Sequence, residues 1–265
     1  MTFNIQHGLD GSGRYNLQRA IDVIARLQPD LVGLQEVTRN HSMYRCDDQP
    51  SVIAEGLRKA TGRTWHHAYV QAWQVNRDRA CMERGRGDGP NTEGIALLAP
   101  EPLEAVAHVK LWNGRIGLAA RVSASAGTTV IATHLANGRT QRNIRDRTRQ
   151  LGKLLPWADA LGVPRVLLGD FNARPDAAEL APIAKQYRDA WLEAQSSGAA
   201  RGVGDGATRT RGTSRVDFIF YTPGSGLRLE SVETVDTRSL IGVVASDHRP
   251  VVASFRLPAA TITRR

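Results

Sequence analysis

The stretch VLLGDFNARPD, residues 166–176, decides how the rest of the chain is read. Val166, Leu167 and Leu168 form an unbroken apolar run, the pattern of a strand buried on both faces. Gly169 marks where that strand stops. An acid, an aromatic and an amide follow, Asp170, Phe171 and Asn172, with Pro175 shortly after. Polar groups at the end of a buried strand need hydrogen-bond partners or a chemical task.

Outward from this stretch, the chain alternates strand and helix signals. Leu17, Ala20, Ile21, Ile24 and Leu27 fall at helical spacing, with Asn16 placed to cap the helix and Pro29 to end it. DLVGLQEV then reads as a buried strand ending at Glu36. A helix is expected near 51–61, a short strand in WHHAYV, and a loop in NRDRACMERGRGDGPNTEG. Strands follow in GIALLAP (94–100), GLAARVSA (117–124) and TTVIATHL (128–135), then a helix over 140–161 that Pro156 could kink. Beyond VLLGDFN the pattern predicts a helix near 177–195, a loop to 215, and strands in VDFIFY, RLESVETV and PVVASFRL. No linker or change of composition divides the chain, so residues 1–265 are expected to form one layered α/β domain.

Composition narrows the partners. Of 265 residues, 41% are hydrophobic, ample for a substantial core, and no apolar run is long enough to span a membrane as a helix. A formal charge of +9 favours a polyanionic partner, either nucleic acid or an anionic phospholipid surface. Only four of the 35 basic residues are Lys, an Arg bias that a GC-rich genome would also produce. The first strand looks cut short, because Met1 lies three residues before Asn4; a removed N-terminal segment would explain it. Cys46 and Cys81 are either two free thiols or a disulfide, and the disulfide would fit a secreted or periplasmic protein. A monomer is expected.

Polar residues recur at the predicted strand ends: Asn4, Glu36, His134, Asp170 with Asn172, and Ser246-Asp247-His248, while Asp217 opens VDFIFY. Such strand ends form the ligand crevice of layered α/β folds. Carboxylates and amides there suit a hard cation, Mg²⁺, Mn²⁺ or Ca²⁺, and two histidines beside it suit proton transfer. Singly, each has an ordinary structural explanation: a turn Asn, a solvated Glu, a hydrogen-bonded core His. Their order and spacing carry the argument.

FNIQHG, LQEV, THL, GDFN, RVDFIFY and SDHRPV, taken in this order from Asn4 to about Val252, resemble the endonuclease/exonuclease/phosphatase superfamily with its deoxyribonuclease I-like fold. The resemblance implies a four-layered α/β/β/α sandwich of two packed mixed sheets, cutting phosphoester bonds with a divalent metal. It implies that Glu36 binds the metal with Asn4 beside it, and that Asp247 serves the metal or its water network. Asp170 would position or deprotonate the attacking water, and Asn172 would hold a phosphate oxygen. His248, oriented by Asp217, would be a base or phosphate contact, and His134 would contact the phosphate and protonate the leaving oxygen. Hydrolysis at phosphorus requires such a set: an aligned water, neutralised oxygens and a proton for the departing alkoxide.

The THL motif is similar to the branch holding deoxyribonuclease I, bacterial sphingomyelinases and inositol polyphosphate phosphatases, and Gln6 departs from the abasic-site repair enzymes, which carry an acid there. Two arginine-rich stretches bear on the substrate. GRTQRNIRDRTR (138–149) contains Arg139 and Arg142, with Arg142, Arg145 and Arg149 on one helical face; RGVGDGATRTRGTSR (201–215) contains Arg209 and Arg211. On a nuclease these would meet backbone phosphates; on a lipid hydrolase, anionic headgroups. Trp65, Trp73 and Trp112 are scattered, although KLWNGR (110–115) could project as one loop. A deoxyribonuclease I-like nuclease acting on DNA is the first expectation. A phospholipid or sphingomyelin phosphodiesterase, or an inositol-phosphate-type phosphatase, is the second. A binding protein that has lost catalysis is disfavoured, because every motif residue is intact.

Overall fold

The computed structural model describes residues 1–74 and 80–257. In its first half lie β1 (Thr2–Asn4), α1 (Gln18–Leu27), β2 (Val32–Arg39), α2 (Gln49–Thr61), β3 (His66–Gln74), α3 (Ala80–Glu83), β4 (Thr92–Ala99), β5 (Leu103–Lys110), β6 (Ile116–Val122) and β7 (Thr129–His134). The second half adds α4 (Gln141–Ala160), β8 (Arg165–Asp170), β9 (Arg188–Asp189), α5 (Ala190–Ser196), β10 (Ala200–Gly202), β11 (Asp217–Tyr221), β12 (Arg228–Thr234), α6 (Thr237–Ile241) and β13 (Val251–Arg256).

The strands form two mixed sheets, one in the order β10-β12-β13-β1-β2-β4-β3 and the other β5-β6-β7-β8-β11-β9. Strand alternation assigns each side chain to a layer. Leu97 and Leu168 point between the sheets with Ile95, Leu118 and Ile219. Leu98, Leu34 and Phe3 point the other way, onto Ile21, Ile24, Ile53 and Leu57 of α1 and α2. Leu167, Ile131 and Phe218 meet Leu151, Leu154 and Leu155 of α4. The result is the expected α/β/β/α sandwich. Gly33 lets the sheets close: a Cβ there would lie 2.5 Å from Leu168 Cδ1.

The sequence-based elements and the observed ones differ where neighbours override local signals. No side chain caps α1, which begins after Leu17 rather than at Asn16. The helix expected near 177–195 is instead two 3₁₀ turns, Ala178–Leu180 and Ile183–Lys185, followed by β9 and the short α5. Pro182 has no N–H with which to continue a helical ladder, and Asp189 caps a fresh start by accepting from the Trp191 amide at 3.0 Å. β5 was not expected, because as an outer strand it is mostly exposed and lacks an apolar run. The loop predicted around 76–94 holds α3 and the start of β4, with residues 75–79 outside the described residues. There, Cys46 and Cys81 form a disulfide with their Cα atoms 5.6 Å apart.

Candidate active site

Asp170 ends β8 beside His134 at the end of β7, and across the strand from Asp217 at the start of β11. Asn4 ends β1 in the other sheet, paired with Gln35 next to Glu36. The two sheets therefore deliver their polar residues to one common edge. Two backbone features aim them. Gly169 has φ +145° and passes so close to the Thr133 carbonyl that any Cβ would collide with it, hence the glycine of GDFN. Glu36 has φ 56° at a register shift between Leu34 and Val37, so β2 does not end there, as the sequence suggested, but bulges and turns the carboxylate into the crevice.

Asp170 is 1% exposed and is the hub of the cluster. Its Oδ1 accepts from the Asn172 amide at 2.8 Å. Its Oδ2 accepts from Asn4 Nδ2 at 3.2 Å and faces His134 Nε2 at 3.5 Å and His248 Nε2 at 3.7 Å. Asn4 Nδ2 also donates to Glu36 Oε1 at 3.0 Å, so one amide bridges both carboxylates. Asn172 Nδ2 lies 3.1 Å from His134 Nε2 and donates to the Leu135 carbonyl. His248 Nδ1 is 2.8 Å from Asp217 Oδ2, the acid-oriented imidazole that the motifs implied.

Packing this many ionisable groups into a buried edge shifts their protonation. Burial, and then the Asp217 charge, push Asp170 up to about 7. Burial alone would lower His248, but Asp217 and Asp170 together raise it to about 9. His134 is held well below the usual histidine range by burial first, then by Arg115 and His248. The two histidines are thus pushed in opposite directions, His248 towards the cation and His134 towards the neutral ring.

Three participants were not anticipated. Glu93, at the start of β4, is buried, and burial followed by the Glu36 charge raises it to about 8. Arg115, half-buried, stacks over Trp73 at 4.7 Å and lines a small cavity with Glu93 and His134. His7 places Nε2 3.3 Å from Glu36 Oε2 and Nδ1 3.8 Å from Glu93 Oε2. Glu93 in NTEG stands at a strand boundary like the other acids, and His7 lies within FNIQHG, so a signal existed for both.

The outer candidates divide. Asp247 Oδ2 pairs with Arg209 Nη1 at 3.1 Å, and Asp247 lies outside the cluster of Asp170, Asp217 and His248. Arg209 reaches the site, with Nη2 3.5 Å from Asn172 Oδ1. Arg139, Arg142 and Arg211 are exposed and, among the described residues, make no contact with the acids. The donor set fits a hard divalent cation: Glu36 and Asp170 converge on one amide, buried Asp217 Oδ1 has no hydrogen-bond partner, and Asp170, Asp217 and His248 offer atoms within 4.8 Å of one another.

Residues 1–248 match the family model described as the Endonuclease/Exonuclease/phosphatase family. Compared by sequence with curated proteins, the chain has no significant match. Among solved structures, an endonuclease/exonuclease/phosphatase from Beutenbergia cavernae is 25% identical, with a TM-score of 0.75 over 99% of this chain and 72% of that one. The human nocturnin catalytic domain with bound sulfate is 22% identical, TM-score 0.67, over 96% and 91%. A mannosyl-6-phosphatase from Bacteroides thetaiotaomicron is 15% identical, TM-score 0.64, over 97% and 98%. At 22% and 15% the likeness is one of fold.

Proposed function

The chain belongs to the endonuclease/exonuclease/phosphatase family, and from that premise we propose that it is a divalent-metal-dependent phosphodiesterase that cleaves nucleic acid, DNA foremost, at the Asp170 crevice. The carrying observation is the convergence of Asn4, His134 and His248 on Asp170 Oδ2. A carboxylate raised to about 7 is matched to proton abstraction at neutral pH, so Asp170 orients the attacking water and takes its proton. His248, oriented by Asp217 and raised to about 9, is cationic and stabilises charge on the phosphoryl oxygens rather than acting as the base. Asn172 and neutral His134 position another phosphate oxygen. Glu93, whose burial favours the protonated carboxyl, lines the same small cavity as His134 and is placed to supply a proton to the leaving oxygen.

Glu36, with Asn4 beside it, would hold the cation, Mg²⁺ in the first instance, with Mn²⁺ or Ca²⁺ as substitutes. When bound it neutralises charge on the non-bridging oxygens. Asp247 acts at one remove, by fixing Arg209 beside Asn172. The Cys46–Cys81 bond suits an oxidising compartment, so action outside the cytoplasm is part of the proposal.

The test is hydrolysis in Mg²⁺ of supercoiled plasmid, sphingomyelin vesicles and an inositol polyphosphate in parallel, with Asp170→Ala as control. Plasmid nicking that the substitution abolishes supports the proposal. Choline phosphate or inorganic phosphate release with intact plasmid would move the activity to lipid or to a small phosphorylated molecule.

A further inference from the structure

At the catalytic edge, the turn between β5 and β6 and the first turns of α4 enclose an open groove of about 600 Å³, lined by Trp112, Asn113, Arg142, Arg145, Asp146 and Arg149. The topology joins it to the site: Arg115 follows this turn directly, and α4 begins seven residues after His134 ends β7. Trp112 is 51% exposed, yet it is fixed in place. Its Nε1 donates to Asp146 Oδ1 at 3.1 Å, Asn113 Nδ2 donates to Asp146 Oδ2 at 3.3 Å, and Gln150 Nε2 donates to the Trp112 carbonyl at 3.0 Å. The Arg149 guanidinium stacks on the indole at 4.6 Å.

The single acid of the groove is buried and occupied by these donors, whereas Arg142, Arg145 and Arg149 are exposed and, among the described residues, form no ion pair. An aromatic plane held rigid against unpaired guanidinium groups is the pairing that tracks a nucleic acid strand: arginines meet successive phosphates and the ring stacks an unpaired base. A membrane-inserting tip would instead carry exposed apolar neighbours and a free indole N–H; here Leu111 is buried in the core, the exposed neighbours are Asn113 and Gly114, and the indole N–H is bound to Asp146.

We propose that this groove is an accessory subsite for single-stranded nucleic acid flanking the scissile phosphate, with Arg142, Arg145 and Arg149 on the backbone and Trp112 under a base. The proposal rests on the nuclease reading above and deepens it. Its test compares wild type with Trp112→Ala and with Arg145→Ala/Arg149→Ala, in Mg²⁺, on a 12-nucleotide single-stranded DNA and on bis(p-nitrophenyl) phosphate, which is too small to span both sites.

The ratio of kcat/KM on the oligonucleotide to that on the small diester is expected to fall about tenfold in each variant, through KM. The salt slope of oligonucleotide binding should drop by about 1.4 in the double variant and recover in Arg145→Lys/Arg149→Lys. Wild-type ratios in both variants, with DNA still cut, would overturn the subsite and leave the nuclease standing. A wild type that cleaves the small diester but no DNA would overturn both. Choline phosphate release from sphingomyelin vesicles, reduced in the variants, would reassign the groove to a membrane surface and overturn the subsite.

Discussion

Arg147→Ala should destabilise the fold more than any exposed arginine substitution, and the hydrogen bonds show by how much. Arg147 and Glu179 are each 4% exposed. Nε and Nη2 both donate to Glu179 Oε1, at 2.9 and 2.6 Å, and Nη1 donates to the Ala136 and Gly138 carbonyls at 2.9 and 2.8 Å. Alanine leaves a buried carboxylate without its counterion, which costs about 3–5 kcal/mol, and two carbonyls unpaired at about 1 kcal/mol each. Water entering the vacated space and proton uptake by Glu179 return part of this, for a net loss of about 4 kcal/mol. At about 2–4 °C per kcal/mol, the melting temperature should fall by roughly 10 °C.

Urea denaturation at pH 7 followed by circular dichroism measures the loss. Arg147→Met/Glu179→Met, which leaves no buried charge, should recover at least half of it. A single-variant loss below about 1.5 kcal/mol, or a double variant as unstable as the single, would refute the reasoning. Activity should fall as well, because the restrained carbonyls belong to the connection from His134 to α4, and Asn172 donates to Leu135 within it.

Three other outcomes are expected. Asp170→Asn should lower kcat by about 10³-fold while keeping or raising the melting temperature, since it removes a desolvated acid next to Asp217; differential scanning calorimetry beside steady-state assays decides it. In chelator-treated protein, imidazole carbon shifts should titrate His248 near 9 and show His134 titrating well below the ordinary histidine range. Because the His248 pKa is raised in the folded state, its stabilisation is complete below the unfolded value of about 6.5 and is lost as pH rises through about 9. Glu93→Gln should make the protein lose less stability as pH rises from about 4.5 to about 8, because the native state holds that proton up to about 8 while the unfolded chain releases it near 4.5; melting temperatures of variant and parent from pH 5 to 8 that run parallel would contradict this.

The sandwich was legible because its inner strands are apolar on both faces: VLLG, GIALLA and DFIFY cannot be placed anywhere but inside. The site was legible for the related reason that an acid or histidine at the end of such a strand has few ordinary explanations. Asp170, His134, Asp217, His248, Asn4 and Glu36 all meet at one edge. What stayed hidden depends on contacts between distant segments. Glu93 and Arg115 face the crevice only once β4 and β6 pack across the two sheets, and Asp247 turns to Arg209 because a loop 38 residues earlier brings a guanidinium to it. The segment 177–195 has helical composition, but Pro182, the Asp189 cap and the pull of Arg147 on Glu179 break it into turns. The bulge at Glu36 has no local sequence signal: β2 runs on to Arg39, and only its register against β4 shows the extra residue.

The decisive measurement is nicking of supercoiled DNA by wild type and Asp170→Ala, each in Mg²⁺ and in excess chelator. Nicking by the wild type in Mg²⁺ alone, reduced about 10³-fold by the substitution, is the predicted result. Nicking that survives either the chelator or the substitution would contradict a metal-dependent site built on Asp170, and no nicking in any condition would contradict duplex DNA as the substrate.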